Sequence, residues 1–226
     1  MKNYYYLISL ILAISNPMFA QNNVESISLL NNKNLTPTNV LTSEESYLGK
    51  SSIKVTDTGE NSEVKFVKID NYDFKNGIIE IDVSGKPAAN SPEQARGFVG
   101  IAFRINKDNS KFECIYLRPT NGRAEDQIRR NHSVQYISYP DFPWAKLRKE
   151  FPEKYESYVD IVPGEWIKMK IVINGDKAKL FVNGNAQPTL LVNDLKLGTD
   201  INGKIGLWIG PGTEAHFSNL QITKLN

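Results

Sequence analysis

Residues 166–182 read WIKMKIVINGDKAKLFV. Apolar and polar side chains alternate from Trp166 to Ile173, Asn174-Gly175 supplies a turn, and Lys177–Val182 returns with the same period. Period-two patterning on both sides of Asn-Gly is the strongest short-range sign of an antiparallel hairpin. Asn183-Gly184 gives a second turn directly after it.

The same pattern recurs in both directions from this hairpin. Ile78–Val83 follows Asn76-Gly77 and sets Ile79, Ile81 and Val83 on one face, with Glu80 and Asp82 on the other. Gly97–Ile105 is apolar almost throughout, apart from Arg104. Lys111–Arg118 and Ser133–Ser138 form a strand pair around the charged loop Pro119–His132. Val24–Leu30, Ser51–Asp57 and Glu63–Ile69 are earlier strands, and Lys204–Ile209 and Ala215–Lys224 are later ones. Residues 139–164 are irregular, with Pro140, Pro143, Pro152 and Pro163 as breaks. Within them Trp144, Leu147 and Phe151 fall at helical spacing, so Pro143–Phe151 is a short helix. Short strands, regular turns and almost no helix specify an all-β, antiparallel two-sheet β-sandwich with one short helix in a long loop.

The chain has 226 residues. Lys2, the apolar run Leu7–Ile14, the break at Asn16-Pro17 and Ala20 before Gln21 make residues 1–20 a signal peptide. The run is too short to span a bilayer, which takes about 20 residues. The expected mature chain, residues 21–226, is one β-sandwich domain, exported to the periplasm or secreted. It loses Lys2 from 27 basic residues, leaving 26 against 25 acidic. That balance offers nucleic acid no basic face. Cys114 is the only cysteine, so the fold rests on packing without a disulfide, and no lipid-bearing cysteine follows the signal.

Chemistry concentrates in residues 111–139, KFECIYLRPTNGRAEDQIRRNHSVQYISY. Between positions 118 and 132, Arg118, Arg123, Arg129 and Arg130 face only Glu125 and Asp126, and His132, Gln135, Tyr136 and Tyr139 follow. Guanidinium groups bind carboxylates in pairs of hydrogen bonds and also donate to sugar hydroxyls. Tyr136, Tyr139, Trp144 and Tyr158 offer flat faces to a pyranose ring. Arg104 completes the set of candidate binding residues. His132, with an ordinary pKa of about 6.5, is a candidate acid/base beside Asp126. Two isolated histidines and one cysteine make no zinc site. The loops at Asn193-Asp194 and Asp200–Asn202 offer oxygens to calcium, but without the ligand density of a dedicated site, so no cofactor is expected.

The succession FKNGIIEIDVSG, GFVGIAFR, FECIYLRP, EWIKMKIVINGDKAKLFVNG, GKIGLWIG and AHFSNLQI, from about Tyr72 to Ile222, resembles the concanavalin A-like jelly roll. It is most similar to secreted laminin-G-like and 3-keto-disaccharide hydrolase-like domains. The resemblance implies a carbohydrate partner, either bound in a concave groove or cleaved as a glycoside. In laminarinase-type members, acids at alternate positions of one strand supply the catalytic groups. Glu80 and Asp82 fit the first two places, whereas Ser84 stands at the third. A structural or adhesion module is the remaining alternative.

Overall fold

The computed structural model describes residues 23–225. The signal segment 1–20 and its cleavage point lie outside them. In chain order the strands are β1 (Val24–Ile27), β2 (Leu35–Thr38), β3 (Val40–Tyr47), β4 (Lys50–Asp57), β5 (Phe66–Phe74), β6 (Gly77–Pro87), β7 (Val99–Ile105) and β8 (Phe112–Leu117). A 3-10 turn at Pro119–Asn121 and helix α1 (Gln127–Asn131) precede β9 (Val134–Tyr139), helix α2 (Trp144–Glu150) and β10 (Glu156–Ser157). The remaining strands are β11 (Ile167–Asn174), β12 (Lys177–Val182), β13 (Leu190–Val192), β14 (Gly203–Ile209) and β15 (Thr213–Lys224).

They form two antiparallel sheets. One runs β13-β12-β11-β6-β15-β4-β3, with β1 also paired to β15, and the other runs β10-β9-β8-β7-β14-β5-β2. The hairpin at 166–182 is β11-β12, paired from Met169↔Val182 to Asn174↔Lys177. Gly175 opens its two-residue loop at φ +60, a conformation that strains residues carrying a Cβ. The expected helix forms at Trp144–Glu150, and the loop 119–132 adds the single turn of α1. The polar strand β3 and the short β2, β10 and β13 lack an alternating apolar signal, and pairing with neighbours makes them strands.

Alternation assigns each strand an inner face. Ile79, Ile81 and Val83 of β6 sit opposite Ile171, Met169 and Ile167 of β11. Ile101, Ile115 and Leu207 share one row in the other sheet, and all of these side chains are buried. Burial of this kind contributes about 25 cal/mol for each Å² of apolar surface removed from water.

One polar tie crosses this core. β7 bulges against β14 between Ile105 and Ala102, and Arg104 takes φ +55 within the bulge. Its guanidinium, with no solvent exposure, donates to Glu113 Oε2 at 3.1 Å and to the carbonyls of Gly198 at 2.7 Å and Gly175 at 2.6 Å. Glu113 Oε1 accepts from the Tyr136 hydroxyl at 2.7 Å and from Leu197 N–H at 3.1 Å. Burial pushes the Glu113 carboxyl above its ordinary pKa, against the pull of these donors. The tie links one sheet to the β11-β12 turn of the other.

Removing one member of a buried pair leaves the other charge uncompensated, at a cost of about 3–5 kcal/mol. Arg104→Ala should therefore lower unfolding stability by about that much in urea denaturation, with the Arg104→Met/Glu113→Leu double variant recovering most of it. A loss below about 1 kcal/mol for Arg104→Ala would show that the tie does not hold the sheets.

Candidate functional site

The outer face of the second sheet carries a cavity, and Tyr116 and Trp208, from a single row of cross-strand partners, form its floor. In register across the sheet stand Phe66, Trp208, Gly100, Tyr116, Gln135 and Glu156. Gly100 has no side chain, so the Trp208 and Tyr116 rings lean together above it, with centroids 4.7 Å apart. A Cβ at Gly100 would come within 2.5 Å of Tyr116 Cβ and 2.3 Å of the Ile115 carbonyl oxygen. Phe98 meets Tyr116 edge-on at 6.1 Å. Over this floor lies a cavity of about 580 Å³, within the usual range for small-ligand sites. A hollow of about 730 Å³ adjoins it and shares Glu63, Pro92 and Pro211.

The walls come from the segments flanking β9. Asp126 caps α1 by accepting from Ile128 N–H at 2.8 Å and Arg129 N–H at 3.3 Å. That short turn delivers Arg129 and His132 to the cavity. On α2, Trp144 and Arg148 are four residues apart and therefore on one face, with the guanidinium 4.8 Å from the indole centroid. Leu147, between them in sequence, points into the core and anchors the helix.

Glu156 ties these walls together. Its carboxylate accepts from Arg148 Nε at 2.9 Å and Arg118 Nη1 at 3.4 Å, and lies 3.6 Å from His132 Nε2. Arg118 also donates to Tyr116 Oη at 3.0 Å, Gln135 Oε1 at 3.1 Å and the His132 carbonyl at 2.9 Å. Burial pushes the Tyr116 hydroxyl up to about 12, so it stays protonated. His132 is held below the ordinary histidine value. Burial is the main cause, and the charges of Arg148 and Arg118 add to it against the opposing pull of Glu156. Asn121 lines the cavity with its side-chain oxygen buried and without a partner, while its amide donates to the His132 carbonyl at 3.2 Å.

Of the residues singled out from sequence, Arg118, Arg129, His132 and Trp144 meet in this cavity. Gln135 lies buried beneath it as a support for Arg118. The others are placed elsewhere, for definite reasons. Arg104 and Tyr136 belong to the inter-sheet tie, Arg104 because the bulge in β7 redirects its side chain. Arg123 pairs with Asp160 at the surface at 2.7 Å, and Arg130 donates to Tyr158 Oη at 2.9 Å outside the cavity. Tyr139 stacks on Phe112 and lines the adjoining hollow. The Asp126 carboxylate is engaged as a helix cap. Glu80 and Asp82 stand on the outer face of the other sheet, where Asp82 pairs with Lys50 at 2.6 Å. The sequence does not mark Tyr116, Trp208, Phe98, Asn121, Arg96, Arg148 or Glu156 as site residues, and Trp208 reads in it as core. For Tyr116 a signal existed, since it shares the strand face of Phe112, Cys114 and Arg118.

Among the described residues no cluster of three His, Cys, Asp or Glu side chains is placed to hold a metal, and no helix is long and apolar enough to cross a membrane. Asp194, weighed as a calcium ligand, is engaged by Lys154, Lys196 and Tyr155.

The antiparallel two-sheet sandwich is a carbohydrate-binding, glycoside-hydrolase-like fold. Residues 25–223 match the 3-keto-alpha-glucoside-1,2-lyase-like domain, and the chain belongs to that family. Similar solved structures include a putative glycosyl hydrolase from Parabacteroides distasonis, at 16% identity over 90% of this chain and 100% of that one, with a TM-score of 0.49. The carbohydrate-binding module CBM66 from Bacillus subtilis is 13% identical over 83% of this chain and 97% of that one, with a TM-score of 0.49. A beta-glucanase from Bacillus licheniformis is 15% identical over 92% and 94%, with a TM-score of 0.46. No curated protein matches the chain.

A histidine whose pKa falls on folding resists a proton that the unfolded chain accepts, so His132 makes the fold less stable as pH drops below about 6.5. An NMR titration should place the imidazole below that value. Arg148→Met should raise it by removing a like charge, and Glu156→Gln should lower it further. Movement in the same direction in both variants would contradict this electrostatic arrangement.

Proposed function

We propose that the protein is an exported carbohydrate-active β-sandwich that binds a glycan in the cavity over Tyr116 and Trp208. The observation that carries this reading is the chemistry of the lining. Apolar ring faces form the floor, guanidinium donors form the walls, and the unpartnered Asn121 oxygen is an acceptor buried among them. A pyranose presents the complement: a flat C–H face for aromatic contact and hydroxyls that both donate and accept. The pairing of Trp144 with Arg148 supplies a second, more exposed ring at the rim. Export rests on the signal-like residues 1–20.

A second reading, cleavage of the bound glycan, is favoured by His132 at the cavity wall, held below its ordinary pKa and therefore neutral near pH 7. In a 3-keto glycoside the C2 proton is acidified by the neighbouring ketone. Its removal by a neutral imidazole gives an enolate with a C2–C3 double bond. As the C3 ketone re-forms, the C1–C2 double bond forms and the C1–O bond breaks, and the glycosidic oxygen leaves with the electron pair and takes the proton back from the imidazolium. The guanidinium wall would stabilise the enolate, and Glu156 the imidazolium that forms.

Titration with neutral oligosaccharides should change tryptophan fluorescence and raise the melting temperature. Trp144→Ala should weaken binding about tenfold, a loss of about 1–2 kcal/mol for one stacking contact, with little change in the melting temperature of the free protein. Incubation with 3-keto disaccharides should release products that His132→Ala no longer forms. If no sugar of any class binds or is cleaved, the carbohydrate reading fails and a protein partner takes its place.

A further inference from the structure

The cavity wall carries more positive charge than its folding contacts use. Arg96, Arg118, Arg129 and Arg148 all line it. Arg118 and Arg148 share the Glu156 carboxylate. The other two have no such partner. The Arg129 side chain makes no hydrogen bond or ion pair among the described residues, and its Nε is shut off from solvent without an acceptor. Arg96 donates only to the backbone carbonyls of Glu93 and Ala95. Glu93 acts on Arg96 from a distance without pairing. Glu63 reaches the lining but makes no ion pair among the described residues.

Arg96 and Arg129 also lie close enough to repel each other. Burial lowers the proton affinity of Arg96, and the charges of Arg129 and Arg118 lower it further. Like charges gathered beside a partly dry wall oppose folding, and a surface loop would relieve them by turning outward. Here they are held inward. Arg129 follows from the α1 turn that Asp126 caps, and Arg96 from the carbonyls that grip it. Each guanidinium presents a planar fork of N–H donors, which matches a carboxylate or sulfate better than it matches a single hydroxyl.

We infer that the glycan carries an oxyanion substituent, the carboxylate of a uronic acid or a sulfate ester, seated between Arg96 and Arg129. This rests on the carbohydrate reading above and adds the charge of the substrate. The aromatic floor takes the ring and the guanidinium pair takes the exocyclic acid. Neutral sugars of the same ring geometry then lack the contact that offsets the repulsion between the two arginines.

Calorimetry on the purified protein tests this with matched pairs: galactose against galacturonate oligosaccharides, neutral against sulfated galactose oligosaccharides, and free acetate and sulfate ions. The charged member of at least one pair should bind tenfold or more tighter at low salt. The preference should shrink as salt rises. In Arg129→Gln the ratio of charged to neutral affinity should fall toward one, with the melting temperature retained because that side chain has no partner to lose. Arg96→Gln should act in the same direction. Whichever charged pair shows the preference identifies the source of the oxyanion. Equal affinity for charged and neutral partners would overturn the inference and leave the carbohydrate reading standing. So would a preference that survives both substitutions. Free acetate or sulfate binding as tightly as the charged sugars would overturn the assignment to a glycan. Binding of no sugar at all would remove the carbohydrate reading and this inference together.

Discussion

The row Phe66, Trp208, Gly100, Tyr116, Gln135, Glu156 is the constraint from which the site follows. Side chains in register across a sheet share a face, so six residues drawn from positions 66 to 208 of the sequence become one continuous row. The missing side chain at Gly100 lets two aromatic rings close over the middle of the row. At one end Gln135 and Glu156 change the surface from apolar to polar. Arg118, Arg148 and His132 lean on that row through Tyr116, Gln135 and Glu156. Because the neighbouring positions on the same strands point into the core, the floor is as rigid as the sandwich itself.

Two buried arginine–carboxylate ties do different work in this chain. Arg104 with Glu113 joins the sheets at the β11-β12 turn, remote from the cavity. Arg118 and Arg148 with Glu156 fasten the walls to the floor and fix where His132 sits. Buried ties of this kind add little net stability relative to apolar packing, but they fail badly when one partner is removed. Their effect is positional. With Arg118 and Arg148 both engaged by Glu156, the cavity arginines left without a carboxylate partner are Arg96 and Arg129.

The fold was readable from sequence because period-two patterning survives in nearly every long strand, and Asn-Gly turns mark where β11 and β12 reverse. β3 was not readable. Its run VLTSEESY is polar on both faces, and pairing along the whole of β4 makes it a strand. At the site, sequence identified the right segment but not the right members. Four arginines in one loop look alike in sequence. Only the fold shows that Arg123 turns to Asp160 and Arg130 to Tyr158, while Arg118 and Arg129 turn inward. Arg104 reads as a binding residue in sequence because nothing local announces a bulge. Glu156 and Arg96 were invisible for a further reason. They come from segments far from the loop in sequence, and strand pairing and loop packing bring them to it.

The most direct test of the account is a crystal structure of the protein soaked with an oligosaccharide that shifts its melting temperature. A sugar ring lying flat over Tyr116 and Trp208, with polar groups directed at Asn121, Arg129 and Arg96, is the predicted result. A sugar seated on the other sheet, beside Glu80 and Asp82, with the cavity over Gly100 empty, would contradict it.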